Sequence, residues 1–161
     1  MADSIKGKQY KNYPKQIQKG ILLHRHIDST TDAHPSFRNS TKRLHANYGH
    51  YSRIIVDIFY DHFLAKNCND YETISLQEFA NKSYQLFKEN HALLTTQIQY
   101  MLPYMVKNNW FYNYQYLEGI ADTLTGMNRR TKKNSGMDKQ PTSLWSITKR
   151  LKPILESFLR L

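Results

Sequence analysis

Apolar residues along this chain recur mainly three or four positions apart, and no convincing run of alternating apolar and polar residues interrupts that spacing. Because a helix turns once in about 3.6 residues, this spacing gathers apolar side chains on one face, and we predict an all-α fold. Breaks in the pattern separate the predicted helices. Five of them cover residues 14–30, 35–48, 50–66, 76–89 and 96–108. A sixth follows the aromatic segment 110–116 and ends near 126, and a last one begins at about 142.

Individual residues mark several of these boundaries. Pro14 suits the first turn of a helix, where its missing N–H is not needed, and Gly49 separates two helices. Ser75 and Glu78 have the spacing of a capping box at a helix start. Pro103 predicts a kink or break, because proline removes one backbone hydrogen bond. We expect a multi-helix bundle that forms a single domain over the printed chain, with a polar, basic loop after its sixth predicted helix.

The composition adds a strong charge bias to this bundle. The 161 residues include 23 Lys and Arg against 13 Asp and Glu, a formal net charge of +10. Such a surface favours a nucleic acid, an anionic membrane or an acidic protein as partner. The single cysteine, Cys68, excludes an internal disulfide and suits a reducing compartment. No apolar run is long enough to cross a membrane and no signal-peptide pattern is present, so we expect a cytoplasmic protein.

The stretch at residues 23–35 is the richest in titratable side chains, with three histidines, two aspartates and one arginine. On a helix, His24 and Asp28 continue an apolar face that starts at Ile17, and Asp32 lies close to its continuation. Since this face begins with apolar residues, we predict that it points into the bundle.

A second predicted helix, at residues 50–66, also carries polar residues on an apolar face. His62 projects near the middle of that face and Asp61 lies at its edge. Burying a charged group without a partner costs several kcal/mol, so these groups must be paired, protonated or bound to metal. Two interpretations stay open: ordinary helix pairs with a hydrogen-bonded core histidine, or ligands of a divalent metal ion that leave positions for water.

Longer motifs resemble those of a known enzyme family. The block "GILLHRHIDSTTDAHPSFR", followed at a short interval by "DIFYDHFLA", is similar to the H-R-x-I-D-x-x-T-D-x-H-P and D-x-x-x-D-H-F-L blocks of the acyl carrier protein phosphodiesterase family. Further matches are "MLPYMVKNNW", "LEGIADTLTGMNRR" and the Ala2–Asp3 pair. The family is in turn similar to the helical HD-type phosphohydrolases, whose His and Asp side chains bind divalent metal.

The resemblance implies an activity, a metal and a set of ligands. The activity is hydrolysis of the phosphodiester that joins 4′-phosphopantetheine to a serine of acyl carrier protein, usually with manganese. The candidate metal ligands that it implies are Asp3, His24, Asp28, Asp61 and His62. Family members also carry a partly apolar segment with a histidine before the Ala-Asp pair, and we expect the printed chain to lack it.

Two further roles follow from the proposed chemistry. Asp32 is our candidate for the carboxylate that accepts a proton from the attacking water, and Arg25 for a guanidinium that pairs with a phosphate oxygen. A cluster in the basic loop is our candidate docking site for acyl carrier protein, which is acidic. The four residues of that cluster are Arg129, Arg130, Lys132 and Lys133.

Two other functions compete with this prediction. The first is an HD-type hydrolase of nucleotides, which would use the same ligands but would not need a broad basic docking face. The second is a basic helical protein that binds nucleic acid without catalysis, which the net charge and the twelve tyrosines suggest. No helix-turn-helix or RNA-binding signature supports it, so we expect no nucleic-acid partner. The sequence does not fix the oligomeric state.

Overall fold

The computed structural model describes residues 2–131, 135–137, 149 and 151–153, apart from the side chain of Asp3. In these residues every regular element is helical and no strand is present, which confirms the all-α prediction. The α-helices are α1 (Lys15–Ala33), α2 (Pro35–Tyr48), α3 (Ser52–Lys66), α4 (Leu76–Glu89), α5 (Thr96–Lys107), α6 (Trp110–Asn113) and α7 (Leu117–Arg130). Short 3₁₀ helices lie at Ala2–Ser4, Gly7–Asn12, Gly49–Tyr51, Cys68–Asp70 and His91–Leu93.

Two of the predicted boundary signals act as expected. Gly49 follows the end of α2 with a φ of 53°, a backbone conformation that glycine adopts without steric cost. The Ser75 hydroxyl oxygen accepts a hydrogen bond from the backbone N–H of Glu78 at 3.2 Å and so caps α4. The limits of these helices therefore follow from local sequence.

Other boundaries differ from the prediction. Of the kink or break predicted at Pro103, the break is wrong, because α5 continues through that residue, and the kink stays a prediction. The end predicted near Gly126 is also wrong, since α7 runs on to Arg130. Gly126 has no positive φ, and the buried side chain of Asn128 accepts a hydrogen bond from the Ser135 hydroxyl at 2.6 Å. That buried hydrogen bond favours a last helical turn that the sequence pattern had assigned to a loop.

The main hydrophobic core surrounds α3, which packs against α2 and α7. Ile55, Val56 and Phe59 are almost completely buried there. Burying one such side chain contributes about 1.5–3 kcal/mol, so this face fixes the position of α3. The core also includes residues from other parts of the chain, among them Phe37, Leu44, Ile120, Leu124, Met137 and Leu151.

A smaller cluster joins α4, α5 and α6. Ala80, Tyr84 and Met105 are buried in it, and Phe111 packs against them. The rings of Tyr84 and Phe111 are stacked with centroids 5.1 Å apart, and the Tyr84 hydroxyl accepts a hydrogen bond from the Phe111 backbone N–H at 2.9 Å. These contacts hold α6 against α4.

Some predictions fall on residues that the structure does not describe. Lys132 and Lys133 lie outside the described residues, as does most of the helix predicted from about 142, although Lys149 and residues 151–153 are helical. No helix among the described residues is long and apolar enough to cross a membrane. The single-domain organisation and the likeness to HD-type phosphohydrolases stay predictions.

Candidate functional site

An open groove of about 570 Å³ runs between α1 and α3. It combines carboxylates, one histidine and one arginine with a rim of apolar side chains. Its lining residues are Gly20, Leu23, His24, Ile27, Asp28, Thr31, Asp32, Phe37, Arg53, Ile54, Asp57 and Asp61.

Helix α1 brings His24, Asp28 and Asp32 to the groove because they are spaced one turn apart. The His24 Nδ1 and Asp28 Oδ2 atoms lie 2.8 Å apart, with side chains 40% and 52% exposed. The prediction that this face points into the bundle is therefore wrong beyond Ile21, which is buried. The groove is open, so polar side chains can line it and stay in contact with water.

Helix α3 supplies Arg53, Asp57 and Asp61, again one turn apart. Sequence reasoning selected Asp61 and missed the other two. The signal was present, because Asp57 is the first aspartate of the D-x-x-x-D-H-F-L block and lies four residues before Asp61. Spacing of four residues places two side chains on the same helix face, whereas His62 lies about 100° away from Asp61.

The carboxyl of Asp61 has the most perturbed electrostatics in the groove. The Asp61 side chain is exposed on the open side of the groove, but surrounding protein atoms desolvate its carboxyl. This desolvation raises the pKa of Asp61 to about 7, the negative charge of Asp57 adds to the rise, and His24 partly opposes it. The Asp61 carboxyl therefore keeps its proton to a higher pH than a fully solvated carboxyl would.

Asp32 is paired with Arg53 across the groove. Its backbone carbonyl also accepts a hydrogen bond from Nε of Arg38 at 3.2 Å. A carboxylate held by a guanidinium is suited to orient that guanidinium, so the pair places one cationic group among the acidic side chains of the groove.

His62 does not line the groove. It is 1% exposed, and its Nδ1 lies 2.7 Å from the carbonyl oxygen of Tyr114, to which it donates a hydrogen bond. Burial lowers the pKa of His62, and the bond to Tyr114 partly opposes that shift. Nε2 is buried and has no hydrogen-bond partner among the described residues. His62 thus joins α3 to the segment before α7 as a core histidine.

Arg25 does not line the groove either. Its guanidinium donates hydrogen bonds to the carbonyl oxygens of Ile5 at 2.6 Å and Gly7 at 2.9 Å, and it lies over the Tyr10 ring. These contacts fix the N-terminal 3₁₀ helices onto α1. The structure therefore gives Arg25 a positioning role in place of the predicted contact with phosphate.

The other predicted site residues lie apart from the groove or outside the described residues. Arg129 and Arg130 belong to the last turn of α7, so they are not in a loop as predicted. Arg130 contacts the Met101 sulfur at 4.0 Å and lines a separate cleft with α5. Lys132, Lys133 and the side chain of Asp3 fall outside the part of the chain that the structure describes.

The donors in the groove suit a divalent cation, since carboxylate oxygens are the side-chain ligands that manganese and magnesium prefer and an imidazole is a common ligand of transition metals. Four carboxylates and His24 line it. Among the described residues, however, no group of three or more His, Cys, Asp or Glu is arranged to hold a metal ion as it stands. The donor chemistry fits a cation, and the described side chains do not yet enclose one.

A basic surface adjoins the groove along α2. Arg38, Lys42 and His45 line a broad, shallow cleft. This cleft shares Asp32, Phe37 and Arg53 with the groove, so the two surfaces are continuous. An acidic molecule that lies on α2 would therefore sit next to the carboxylates.

Comparison with known proteins identifies the family. The family model described as acyl carrier protein phosphodiesterase matches residues 1–160. The chain belongs to the acyl carrier protein phosphodiesterase family. This confirms the resemblance that the two sequence blocks suggested.

Curated relatives agree with this family assignment. A protein of Yersinia pestis named acyl carrier protein phosphodiesterase is 28% identical over 160 residues, which is 99% of this chain and 81% of the relative. Proteins of the same name from Yersinia enterocolitica and Photorhabdus laumondii are 31% and 30% identical and match 82% and 81% of this chain, or 69% and 66% of the relatives. No solved structure matches the chain.

Proposed function

We propose that this member of the acyl carrier protein phosphodiesterase family hydrolyses the phosphodiester between 4′-phosphopantetheine and a serine of holo-acyl carrier protein. Water attacks the phosphorus, the bond from phosphorus to the serine oxygen breaks, and the products are 4′-phosphopantetheine and apo-acyl carrier protein. The proposal rests on the open groove, which is lined by carboxylates of both α1 and α3 and by Arg53.

The proposal includes a divalent metal ion, for which manganese is our choice. A phosphodiester is an anion, and a groove with four carboxylates would repel it unless a cation were bound. We assign the ligands to His24, Asp28, Asp57 and Asp61, with Asp3 as a further candidate. Such an ion polarises a phosphoryl oxygen and lowers the pKa of its bound water.

Individual residues of the groove have separate tasks in this proposal. Asp61 loses its proton when a cation binds, because ligands coordinate in the ionised form. Arg53, oriented by Asp32, binds a phosphate oxygen and so takes the role first predicted for Arg25. The ion pair of Asp32 with Arg53 favours the role of orienting the guanidinium. The role of Asp32 as the acceptor of a proton from water stays a prediction.

The charge of the surface supports an acidic protein as the partner. The chain has a net charge of +10, and Arg38 and Lys42 lie on the cleft that is continuous with the groove. A basic surface beside an active site attracts an acidic partner and increases its association rate. We propose α2 as the main docking surface, and docking at Arg129 and Arg130 stays a second prediction.

Intact-mass spectrometry of holo-acyl carrier protein tests this function. After incubation with the protein and manganese, we expect the carrier to lose the mass of one 4′-phosphopantetheine group. A chelator should prevent the loss if a divalent ion is required. An unchanged carrier together with hydrolysis of nucleotide diesters would contradict the proposal and support the nucleotide hydrolase.

A further inference from the structure

An apolar pocket of about 320 Å³ adjoins the groove at Asp61, which lines both. The pocket lies between the C-terminal end of α3, the start of α4 and α6. Leu64, Ala65, Phe79 and Phe111 contribute most of its apolar character, together with Tyr114. Its volume is at the lower end of the range of roughly 300–1,000 Å³ that is usual for pockets that bind small ligands.

The groove and the apolar pocket lie along one face of α3. Asp57, Asp61 and Ala65 follow each other on α3 at intervals of four residues. At about 1.5 Å of rise per residue, Ala65 lies roughly 6 Å along the helix from Asp61. Cys68, which also lines the pocket, begins the 3₁₀ helix that follows α3. A ligand that starts in the groove can therefore follow α3 directly into the apolar pocket.

Apolar side chains of the pocket are unusually open to solvent. Leu64 is 49% exposed, Tyr71 48% and Phe79 44%. Leaving such groups in water costs free energy in proportion to the exposed apolar area, about 25 cal/mol per Å². Exposed apolar side chains grouped around a depression are typical of a surface that a ligand or partner covers.

We propose that the apolar pocket binds the pantetheine arm of the substrate while the phosphodiester lies in the groove; this inference rests on the proposed function. The arm is neutral and carries a dimethyl group, one hydroxyl, two amides and a thiol. It is about as long as four or five extended residues, roughly 15 Å, which is enough to pass Asp61 and reach Cys68. The charged phosphodiester has no such match, because an apolar pocket does not compensate the loss of its hydration.

Polar groups in the apolar pocket are few, as the arm requires. Glu72 and Tyr71 line it, whereas the hydroxyl of Tyr114 is hydrogen-bonded to Thr123, which does not line the pocket. A carboxylate accepts a hydrogen bond from an amide N–H, and a tyrosine hydroxyl can donate to an amide carbonyl. These groups can pair with the two amides, and the open side of the pocket leaves the rest to water.

Protection of Cys68 from alkylation tests occupancy of the pocket without any turnover. Cys68 is the single cysteine and lines the pocket, so the mass of the intact protein reports its reaction with iodoacetamide directly. The probe is 4′-phosphopantetheine with an S-methylated thiol, at millimolar concentration in the presence of manganese. We expect the alkylation rate to fall at least fivefold, with no change in inorganic phosphate. An unchanged rate, or equal protection by phosphate, would overturn the proposal.

A variant that fills the pocket gives an independent test through substrate selectivity. Ala65→Trp should lower kcat/KM for holo-acyl carrier protein at least tenfold and lower hydrolysis of bis(p-nitrophenyl) phosphate, a diester without a pantetheine arm, by a much smaller factor. Leu86→Trp, at an apolar residue of α4 that is 57% exposed and does not line the pocket, is the control and should change neither. Equal losses on both substrates would contradict an arm site. If the wild-type protein leaves holo-carrier intact, the proposed function fails, and the protection of Cys68 still decides the pocket.

Discussion

The groove brings together several negatively charged residues, and the repulsion between their charges disfavours folding. Asp57 and Asp61 lie one turn apart on α3, and the negative charge of Asp57 destabilises the ionised form of Asp61. Asp28 and Asp32 add two more carboxylates from α1, of which Asp32 is paired with Arg53. Such a concentration of like charge is typical of a functional site, because it costs stability unless a cation is bound.

The titration of Asp61 predicts an unusual pH dependence of stability. This carboxyl titrates near 3.8 in the unfolded chain and near 7 in the folded protein. Between these values the folded state keeps a proton that the unfolded state has lost, so the free energy of unfolding falls as pH rises. Asp61→Asn should therefore raise the melting temperature of the chelated protein at pH 8, and raise it much less at pH 5.

Thermal unfolding at the two pH values, followed by circular dichroism, measures this difference. Asp70→Asn is the control, because Asp70 is exposed in the 3₁₀ helix Cys68–Asp70 and does not line the groove. A gain from Asp61→Asn that is the same at pH 5 and pH 8 would show that the carboxyl has an ordinary pKa.

His62 distinguishes a structural histidine from a metal ligand. The side chain is buried and bonded to the Tyr114 carbonyl, so His62→Ala should lower the free energy of unfolding by about 2–4 kcal/mol in chelator. His62→Asn keeps an N–H donor and should lose less. Urea unfolding measures both. Near-normal stability in chelator together with lost manganese affinity would support the metal ligand that the sequence suggested.

The identity of a residue alone did not show whether its side chain lines the groove or belongs to the core. Asp61 and His62 are adjacent in sequence, but one faces the groove and the other the core. The motif contained Asp57, and the pairing of Arg53 with Asp32 depends on how α1 and α3 pack. Sequence spacing predicts neighbours within a helix, whereas contacts between helices require the packed structure.

At the scale of helices, periodicity and caps predicted the elements well and their ends less well. The limits of α2 agree with the prediction, as does the start of α4 after Ser75. The end of α7 was misplaced because glycine is a frequent helix terminator, and the buried bond between Asn128 and Ser135 could not be predicted from local pattern. Helix ends that depend on contacts with residues distant in the sequence cannot be predicted from the local sequence pattern.

A close contact between α6 and α7 predicts opposite effects for two glycines of one helix. A Cβ atom at Gly119 would collide with the backbone carbonyl of Asn113, which precedes the Tyr114 carbonyl that holds His62. Gly119→Ala should therefore lower the free energy of unfolding by about 1–3 kcal/mol.

Gly126→Ala is the matched control in the same helix, since a Cβ atom added there would meet no atom of another segment within 4 Å. Alanine is the better helix former, so this variant should be as stable as the wild type or up to about 1 kcal/mol more stable. Chemical denaturation of both variants measures the contrast. Equal stability of the two would mean that α6 and α7 are not in close contact.

Across the whole molecule, an acidic groove lies within a strongly basic surface. The net charge of +10 predicted an acidic partner from sequence, but the position of the docking surface depends on the fold. The sequence drew attention to Arg129 and Arg130, whereas the structure places Arg38 and Lys42 on the cleft continuous with the groove. Residues close in space need not form a run in the sequence.

Charge reversal on α2 tests this docking surface. Arg38→Glu combined with Lys42→Glu should raise KM for acyl carrier protein roughly tenfold at low salt and flatten its salt dependence, with kcat changed much less. Exposed charges are screened over about 8–10 Å at physiological ionic strength, so KM of the wild type should rise with salt.

Two other variants complete that steady-state comparison. Lys88→Glu is the control, because Lys88 is exposed in the last turn of α4 and lines neither the groove nor the basic cleft. Arg129→Glu with Arg130→Glu measures the end of α7 that the sequence favoured. A larger increase in KM from the α7 pair than from the α2 pair would move the docking surface to α7.

If the groove between α1 and α3 is the phosphodiesterase site, catalysis requires the carboxylate of Asp57, which lines it. Asp57→Asn keeps the shape of the side chain and removes one charge, so the fold should persist while catalysis fails. Single-turnover hydrolysis of holo-acyl carrier protein with manganese, followed by intact mass, should slow at least 100-fold in this variant and stay within twofold in Asp70→Asn. Hydrolysis by Asp57→Asn at the wild-type rate would show that the groove is not the phosphodiesterase site.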